Sequence, residues 1–555
     1  MRETLQKKWT EIRDSAKGAP ERTRASLNMA RTTGLMWELN RRGLVALVRV
    51  QISGSQNPSQ IYRIHAANTP DKPAIIGGAR SFTFAELDRR VDRLAHGLRA
   101  RGFGRGQSVI LMLHNSIELV EMSLAAARMG ARAVAISWRS TSAELSYLAN
   151  HSGASALLTD PELVPVVRGA EISDALRRNV FVRGPGVDGA VAVDSLYDAR
   201  TTPFVAEAGS EDDAAVVIYT SGTTGRPKGA VRKFPKDTLP AAFRFIGSTP
   251  MRCDDVHLVT CPLYHSTAFG FLTLSHILGC TVVLMDEFKP RTFLELVARH
   301  RVTSTAVVPT MLHRVLALGD DELRGFDARS LRLVFAGGAP LPGPLAIEFM
   351  DRFGDILFNF YGATETGLVT LATPDDLRAA PGTIGRPLPG NDIRLLDDEG
   401  RPTTGTGELF VKNNFLVAGY HNDEGATRDS MRDGYFSVGD LARRDHGGRY
   451  FIDGRKRDMI ISGGTNVYPA EVEGVLEAHP ELAEVAVVGV PDPEWGERVR
   501  AFVVRRPPSQ IDEGTLKLWT KERLAGPKVP RDFVFLDALP RNPTGKVLKR
   551  DLRLA

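Results

Sequence analysis

The chain has 555 residues, 43% of them hydrophobic and 25% charged. This is the ordinary globular profile and excludes a disordered or collagen-like polymer. Its length predicts roughly three or four structural units, with enough core to need neither disulfide nor metal staples. Three cysteines (Cys253, Cys261 and Cys280) with no CxxC spacing exclude a disulfide scaffold and a zinc ribbon, and point to a reducing, cytoplasmic setting.

Net charge is +5, but residues 1–50 alone carry eleven Lys/Arg against five acids, leaving the other 505 residues at −1. A near-neutral body gives no support to nucleic-acid binding. Residues 1–56 read as a basic N-terminal extension with apolar clusters at Leu35/Met36/Trp37/Leu39 and Leu44/Val45/Leu47/Val48, interrupted by Gly34 and Gly43. No apolar h-region of a secretory signal follows its first charges. Basic charge beside apolar side chains predicts peripheral contact with an anionic membrane. The alternatives are packing on the body of the same chain and self-association into a homo-oligomer.

From Ile61, helical patterns such as Phe84–Arg101 alternate with short β-rich runs such as Ser108–Leu113, Ala154–Thr159 and Ala214–Tyr219. This alternation predicts α/β layers. The run Thr267–Met285 is long enough to cross a bilayer, but Ser275, His276 and Gly279 and a β-branched end make it a buried helix followed by a buried strand. Short β runs at Asp392–Leu396, Gly407–Val411 and Tyr450–Ile452 predict a small β-rich subdomain. The charged stretch Asp453–Asp458 reads as a joint, after which strand and helix alternate again. The expected organisation is the extension 1–56, a large domain 57–454, and a small mobile α+β lid 455–555.

The strongest chemical signal is Tyr219-Thr-Ser-Gly-Thr-Thr-Gly-Arg-Pro-Lys-Gly229 directly after an apolar strand. Glycines let backbone N–H groups turn toward an anion, hydroxyls add donors, and Lys228 supplies a mobile cation. It is no Walker A loop, because no Gly precedes the lysine and no Ser/Thr follows it. The bland alternative is a polar hairpin turn. Tyr361-Gly-Ala-Thr-Glu365 groups an aromatic face, a glycine, a hydroxyl and a carboxylate. Gly337-Gly-Ala-Pro340 follows an apolar strand, at the carboxyl end where α/β sheets bind ligands.

With Pro262-Leu-Tyr-His-Ser266, Gly385-Arg-Pro387, Tyr435–Asp440, Asp453-Gly-Arg455 and Pro540–Lys546 these make eight motifs in one order. In that order the chain, from about Ile61 to Arg553, resembles the adenylate-forming superfamily of acyl-CoA synthetases, luciferases and peptide-synthetase adenylation domains. The resemblance implies an enzyme that binds ATP through Thr220, Ser221, Gly222, Thr223, Thr224, Gly225 and Lys228. Gly337, Gly338, Ala339 and Pro340 would form one wall of the adenine slot, with Tyr361 and Gly362 on the other side and Ile452 against the base. Thr364 would meet a phosphate, Glu365 and Thr220 would hold Mg²⁺, and Asp440 and Arg455 would take the ribose. His265 would lie beside the acid to be activated. Lys546 would contact its carboxylate and the α-phosphate. Ser462, Gly463 and Gly464 would line the thiol channel after rotation about Arg457, a position usually Asp or Lys in the family. Ile136-Ser-Trp-Arg139 also departs from the family, where Asn-Pro is common.

The implied chemistry is attack of a carboxylate on the α-phosphorus of ATP, then transfer of the acyl group from AMP to a thiol, by positioning and charge neutralisation. Because the chain ends at Ala555 with no carrier domain, CoA is the expected acceptor and a medium- or long-chain fatty acid the expected substrate. Ligation of an aryl or other carboxylic acid, and loading of a separate carrier protein, are the alternatives.

Overall fold

The computed structural model describes residues 28–53, 57, 59–206, 216–220, 228–232, 238–413, 416, 424–462, 465–541 and 547–554. Its centre is a nine-stranded sheet in the order Arg386–Pro387, Gly367–Ala372, Leu357–Ala363, Leu333–Ala336, Ser304–Val307, Val256–Val259, Thr281–Leu284, Pro73–Gly77, Arg80–Thr83. Its pairs from Leu357–Ala363 across to Pro73–Gly77 are parallel, and the pairs outside these are antiparallel. Parallel neighbours need a crossover, and helices such as Ser266–Leu278 and Pro290–His300 supply it. These strands are uniformly apolar and buried, as in Leu333–Ala336, because helices cover both faces.

A second, seven-stranded sheet runs Val191–Ala192, Val180–Val182, Ala156–Thr159, Ser108–Met112, Arg132–Ala135, Val216–Thr220, Lys228–Arg232. The helix Phe84–Ala100 buries Phe84, Leu87, Val91, Leu94, Ala95 and Leu98, the spacing of one helical face. Its start is fixed by a capping box in which Thr83 accepts from the Glu86 N–H and Glu86 accepts from the Thr83 N–H. Beside it, Ile117–Arg128 is buried along its whole length, and the Arg128 guanidinium is neutralised by Asp88 and Asp92.

The β-rich subdomain is a five-stranded antiparallel sheet: Asp392–Leu396, Gly407–Lys412, Tyr435–Arg444 and Met431–Arg432, with Tyr450–Arg455 against Tyr435–Arg444. Asp453-Gly-Arg455 therefore belongs to a strand, because its backbone completes a ladder with Asp440 and Leu441. The short 3₁₀ turn Lys456–Asp458 follows directly. The C-terminal sheet has Thr465–Val467, Ile460–Ser462, Gly496–Arg505, Leu482–Asp492 and Asp532–Phe535, packed against Pro469–Glu477. Large α/β body, β-rich subdomain and small C-terminal domain agree with the expected fold class.

Thr267–Met285 is indeed a helix followed by a strand. Among the described residues no helix is long and apolar enough to cross a membrane. Gly34, at φ 82°, breaks the N-terminal region as expected. Gly43 does not. It lies inside the helix Arg41–Ser53, where a Cβ would overlap the Asn68 side chain, so close packing on the helix Gln60–Asn68 outweighs its poor helix propensity.

Candidate active site

The two loops at the heart of the site meet through a pair of hydroxyls. Ser266 Oγ lies 3.2 Å from Thr364 Oγ1 and joins Pro262–Ser266 to Tyr361–Glu365. Pro262–Ser266 follows the strand Val256–Val259 and opens the helix Ser266–Leu278. Tyr361–Glu365 ends the strand Leu357–Ala363 three positions farther along the same sheet. Both lie at carboxyl ends of parallel strands.

Asn115 fixes the first loop through its side-chain amide. Its Nδ2 donates to the Cys261 and Met285 carbonyls at 3.0 Å each, and its Oδ1 accepts from the Leu263 N–H at 2.7 Å. A lone Asn after a strand carried no sequence signal, because its partners are 146 to 170 residues away.

His265 is the last residue before the helix. Its ring centre lies 4.2 Å from that of Tyr264, and its buried Nε2 has no hydrogen-bond partner among the described residues. Burial pushes its pKa down to about 4, so the ring is neutral near pH 7. A neutral imidazole with one unpaired nitrogen can orient a carboxylate without titrating.

Tyr361 Oη donates to Asp440 Oδ2 at 2.8 Å, and Arg455 Nε donates to the other oxygen, Oδ1, at 3.0 Å. Burial raises the Tyr361 phenol far above its ordinary value, with the Asp440 charge adding to the effect. Ile452 and Tyr361 flank one apolar cluster that includes Val369, Ile384 and Tyr450. Gly337 must be glycine on packing grounds, since a Cβ there would overlap the Phe360 ring. Gly338, at φ 78°, leads into Ala339 and the exposed Pro340. Gly362 passes so near the Gly367 carbonyl that a Cβ would collide with it.

Glu365 is buried beside Thr364. A buried carboxylate next to a hydroxyl is a hard oxygen donor set of the kind Mg²⁺ accepts. Thr220 stands opposite Lys228 in an antiparallel register. Ser221, Gly222, Thr223, Thr224, Gly225, Gly463, Gly464 and Lys546 lie outside the described residues, as do the side chains of Thr220 and Lys228. Ser462 is buried at the end of the strand Ile460–Ser462. Arg457 lies in a short 3₁₀ turn, Lys456–Asp458, directly after the Tyr450–Arg455 strand.

Residues 62–421 match the AMP-binding enzyme family, and residues 471–546 match its C-terminal domain. The chain belongs to the AMP-binding enzyme family. A feruloyl-CoA synthase from Amycolatopsis is 37% identical over 493 residues, covering 88% of this chain and 96% of the relative. The long-chain-fatty-acid–CoA ligase FadD13 of Mycobacterium tuberculosis is 33% identical over 475 residues, covering 85% and 92%. The solved amide bond synthetase McbA from Marinactinospora thermotolerans superposes with a TM-score of 0.81 at 28% identity, over 90% of this chain and 99% of its own. This AMP-binding enzyme is thus an AMP-forming acid–thiol ligase whose substrates are ATP, a carboxylic acid and CoA.

Proposed function

We propose that the acid is a ring-bearing one, of the aryl or arylalkenoic type, activated as its adenylate and passed to CoA. The supporting observation is the wall next to His265. On the helix Ser266–Leu278, Phe269 is half-exposed, and a side chain at Gly270 would meet nothing within 4 Å. A planar acyl group has room there and an aromatic surface to lie on. The 37% identical relative is named for such an acid.

In this reading the unpaired His265 Nε2 orients the substrate carboxylate, and Ser266 holds Thr364 toward the phosphates. Asp440 accepts from the ribose diol, which can donate two hydrogen bonds. Tyr361 and Ile452 lie along the base, opposite the Gly337-Gly338 backbone. Glu365, with Thr220, would hold Mg²⁺, which supplies charge neutralisation at the phosphate oxygens. Lys228 and Lys546 neutralise charge during adenylation, and Lys546 withdraws when the C-terminal domain turns about Arg457. Ser462, Gly463 and Gly464 then border the thiol's path. The domain limits 1–56, 57–454 and 455–555 belong to the same proposal.

A fatty acid is the second reading. The same open space at Gly270 favours it, as does the Mycobacterium relative. CoA-dependent AMP formation over a series of cinnamic, benzoic, octanoic and hexadecanoic acids separates the two. A kcat/KM for hexadecanoic acid tenfold above that for every ring acid overturns the first reading.

A further inference from the structure

The helix Arg41–Ser53 has two faces of different fate. Gly43 and Leu47 turn toward the body, where the Asn40 backbone N–H donates to Asn68 Oδ1 at 2.8 Å and Gly43 lies against the Asn68 side chain. At 100° per residue, Leu44, Val48, Arg41 and Val45 share the opposite arc of about 100°, with Arg49 and Arg42 along its border. Leu44, Val45 and Val48 are 49%, 50% and 43% exposed, and the neighbouring Trp37 is 44% exposed. These are four of the nine large hydrophobic side chains that the described residues expose, gathered within twelve positions. Arg41, Arg42 and Arg49 are exposed and form no ion pair among the described residues.

We propose that this face seats on an anionic lipid bilayer. The occupant is chosen by charge complementarity: apolar side chains that water disfavours are bordered by cations that meet no anion among the described residues. The chain's positive excess is confined to this end, because the remainder of the sequence sums to −1. Trp37 adds the residue type that prefers the headgroup level. Docking on Gln60–Asn68 holds the face outward, so the whole enzyme lies on the surface with nothing inserted across it.

The test is co-sedimentation of the full-length protein with vesicles of phosphatidylglycerol mixed with phosphatidylcholine, and of phosphatidylcholine alone. The wild type should bind only the anionic vesicles. Binding should fall sharply as NaCl rises from about 0.1 to about 1 M and the screening length shrinks from about 10 to about 3 Å. Arg41→Gln with Arg42→Gln should weaken the partition constant about twentyfold, roughly fivefold per arginine. Leu44→Gln with Val48→Gln should weaken it about tenfold or more. Turnover of a soluble acid should be unchanged in both. Equal binding to neutral vesicles, or undiminished binding by either double variant, overturns the proposal. So does a concentration-dependent dimer that Leu44→Gln/Val48→Gln abolishes, which assigns the face to a second copy. A melting temperature lowered several degrees by that variant without vesicle binding assigns it to the protein's own chain.

Discussion

Tyr361 and Asp440 are joined across two sheets: the phenol at the end of the central sheet donates to a carboxylate of the β-rich subdomain at 2.8 Å. Arg455 occupies the other carboxylate oxygen at 3.0 Å. Asp440 is thereby aimed from both sides before any nucleotide arrives. Each of its oxygens retains a further lone pair for a diol.

Asp440→Asn replaces one acceptor by a donor, so a ribose diol can be met only once. ATP affinity should fall about tenfold, the amount expected for a hydrogen bond to a charged group. Calorimetric titration with ATP and 2′-deoxy-ATP checks the reading. The wild type should prefer ATP, and the variant should lose most of that preference. Tyr361→Phe should keep the preference, because it removes a group that aims the acid and leaves the acid itself.

Asn115→Ala should lower both stability and turnover, because its side chain holds the start of the Pro262–Ser266 loop. It strands two buried carbonyls and one buried N–H, a loss of about 3 kcal/mol in unfolding free energy. The loop carrying His265 also loses its anchor. Denaturant unfolding and steady-state kinetics measure the two effects. Full activity in a destabilised variant would limit Asn115 to folding.

Acid should destabilise this protein through its buried histidines. Burial holds His65, His265 and His276 at about 4 and His257 at about 3. His276 donates from Nε2 to the Ala74 carbonyl at 3.1 Å, while its Nδ1 accepts from the Tyr62 hydroxyl. These folded-state values lie below the ordinary 6.5, so the unfolded chain takes up protons first. Their contribution is complete above about pH 6.5 and is lost progressively as pH falls toward 4, by up to about 1.4 kcal/mol per histidine per pH unit. Melting temperature measured from pH 8 to 4.5 should drop across that window. His276→Gln should flatten the slope.

Lys456 Nζ sits 3.0 Å from Glu408 Oε2, and Glu408 Oε1 accepts from the Ser437 hydroxyl at 2.7 Å. In the proposed turn about the neighbouring Arg457, that half-exposed pair lies at the pivot. Lys456→Met should therefore change adenylation and thioester formation unequally, by at most about fivefold, since pairs of this kind contribute only about 0–1 kcal/mol. Single-turnover measurements of the two half-reactions decide. Equal changes in both would make the pair a surface contact with no part in the turn.

The outline of the molecule was legible because its signals are local. Thr83 with Glu86, and the 3.6-residue spacing from Phe84 to Leu98, place a helix without reference to anything distant. The Gly337 and Tyr361 motifs sit at strand ends, as expected of binding loops. What could not be read depends on contacts far apart in sequence. Gly43 was misjudged because Asn68, its reason for being glycine, belongs to another helix. Asn115 was invisible for the same reason. Asp453–Arg455 looked like linker because its composition is charged, whereas its backbone serves a ladder with Asp440 and Leu441.

The strand Tyr450–Arg455 ends on the residue that grips Asp440, and the very next residue begins the 3₁₀ turn. Two peptide bonds therefore separate the clamp on the acid from Arg457, the proposed pivot. No slack chain lies between them to absorb motion, so in the proposed turn a displacement of the clamp would arrive at the axle undamped. A nucleotide seated on Asp440 would act like the tooth that stops an escapement wheel, and its exit would be the tick that lets the wheel advance.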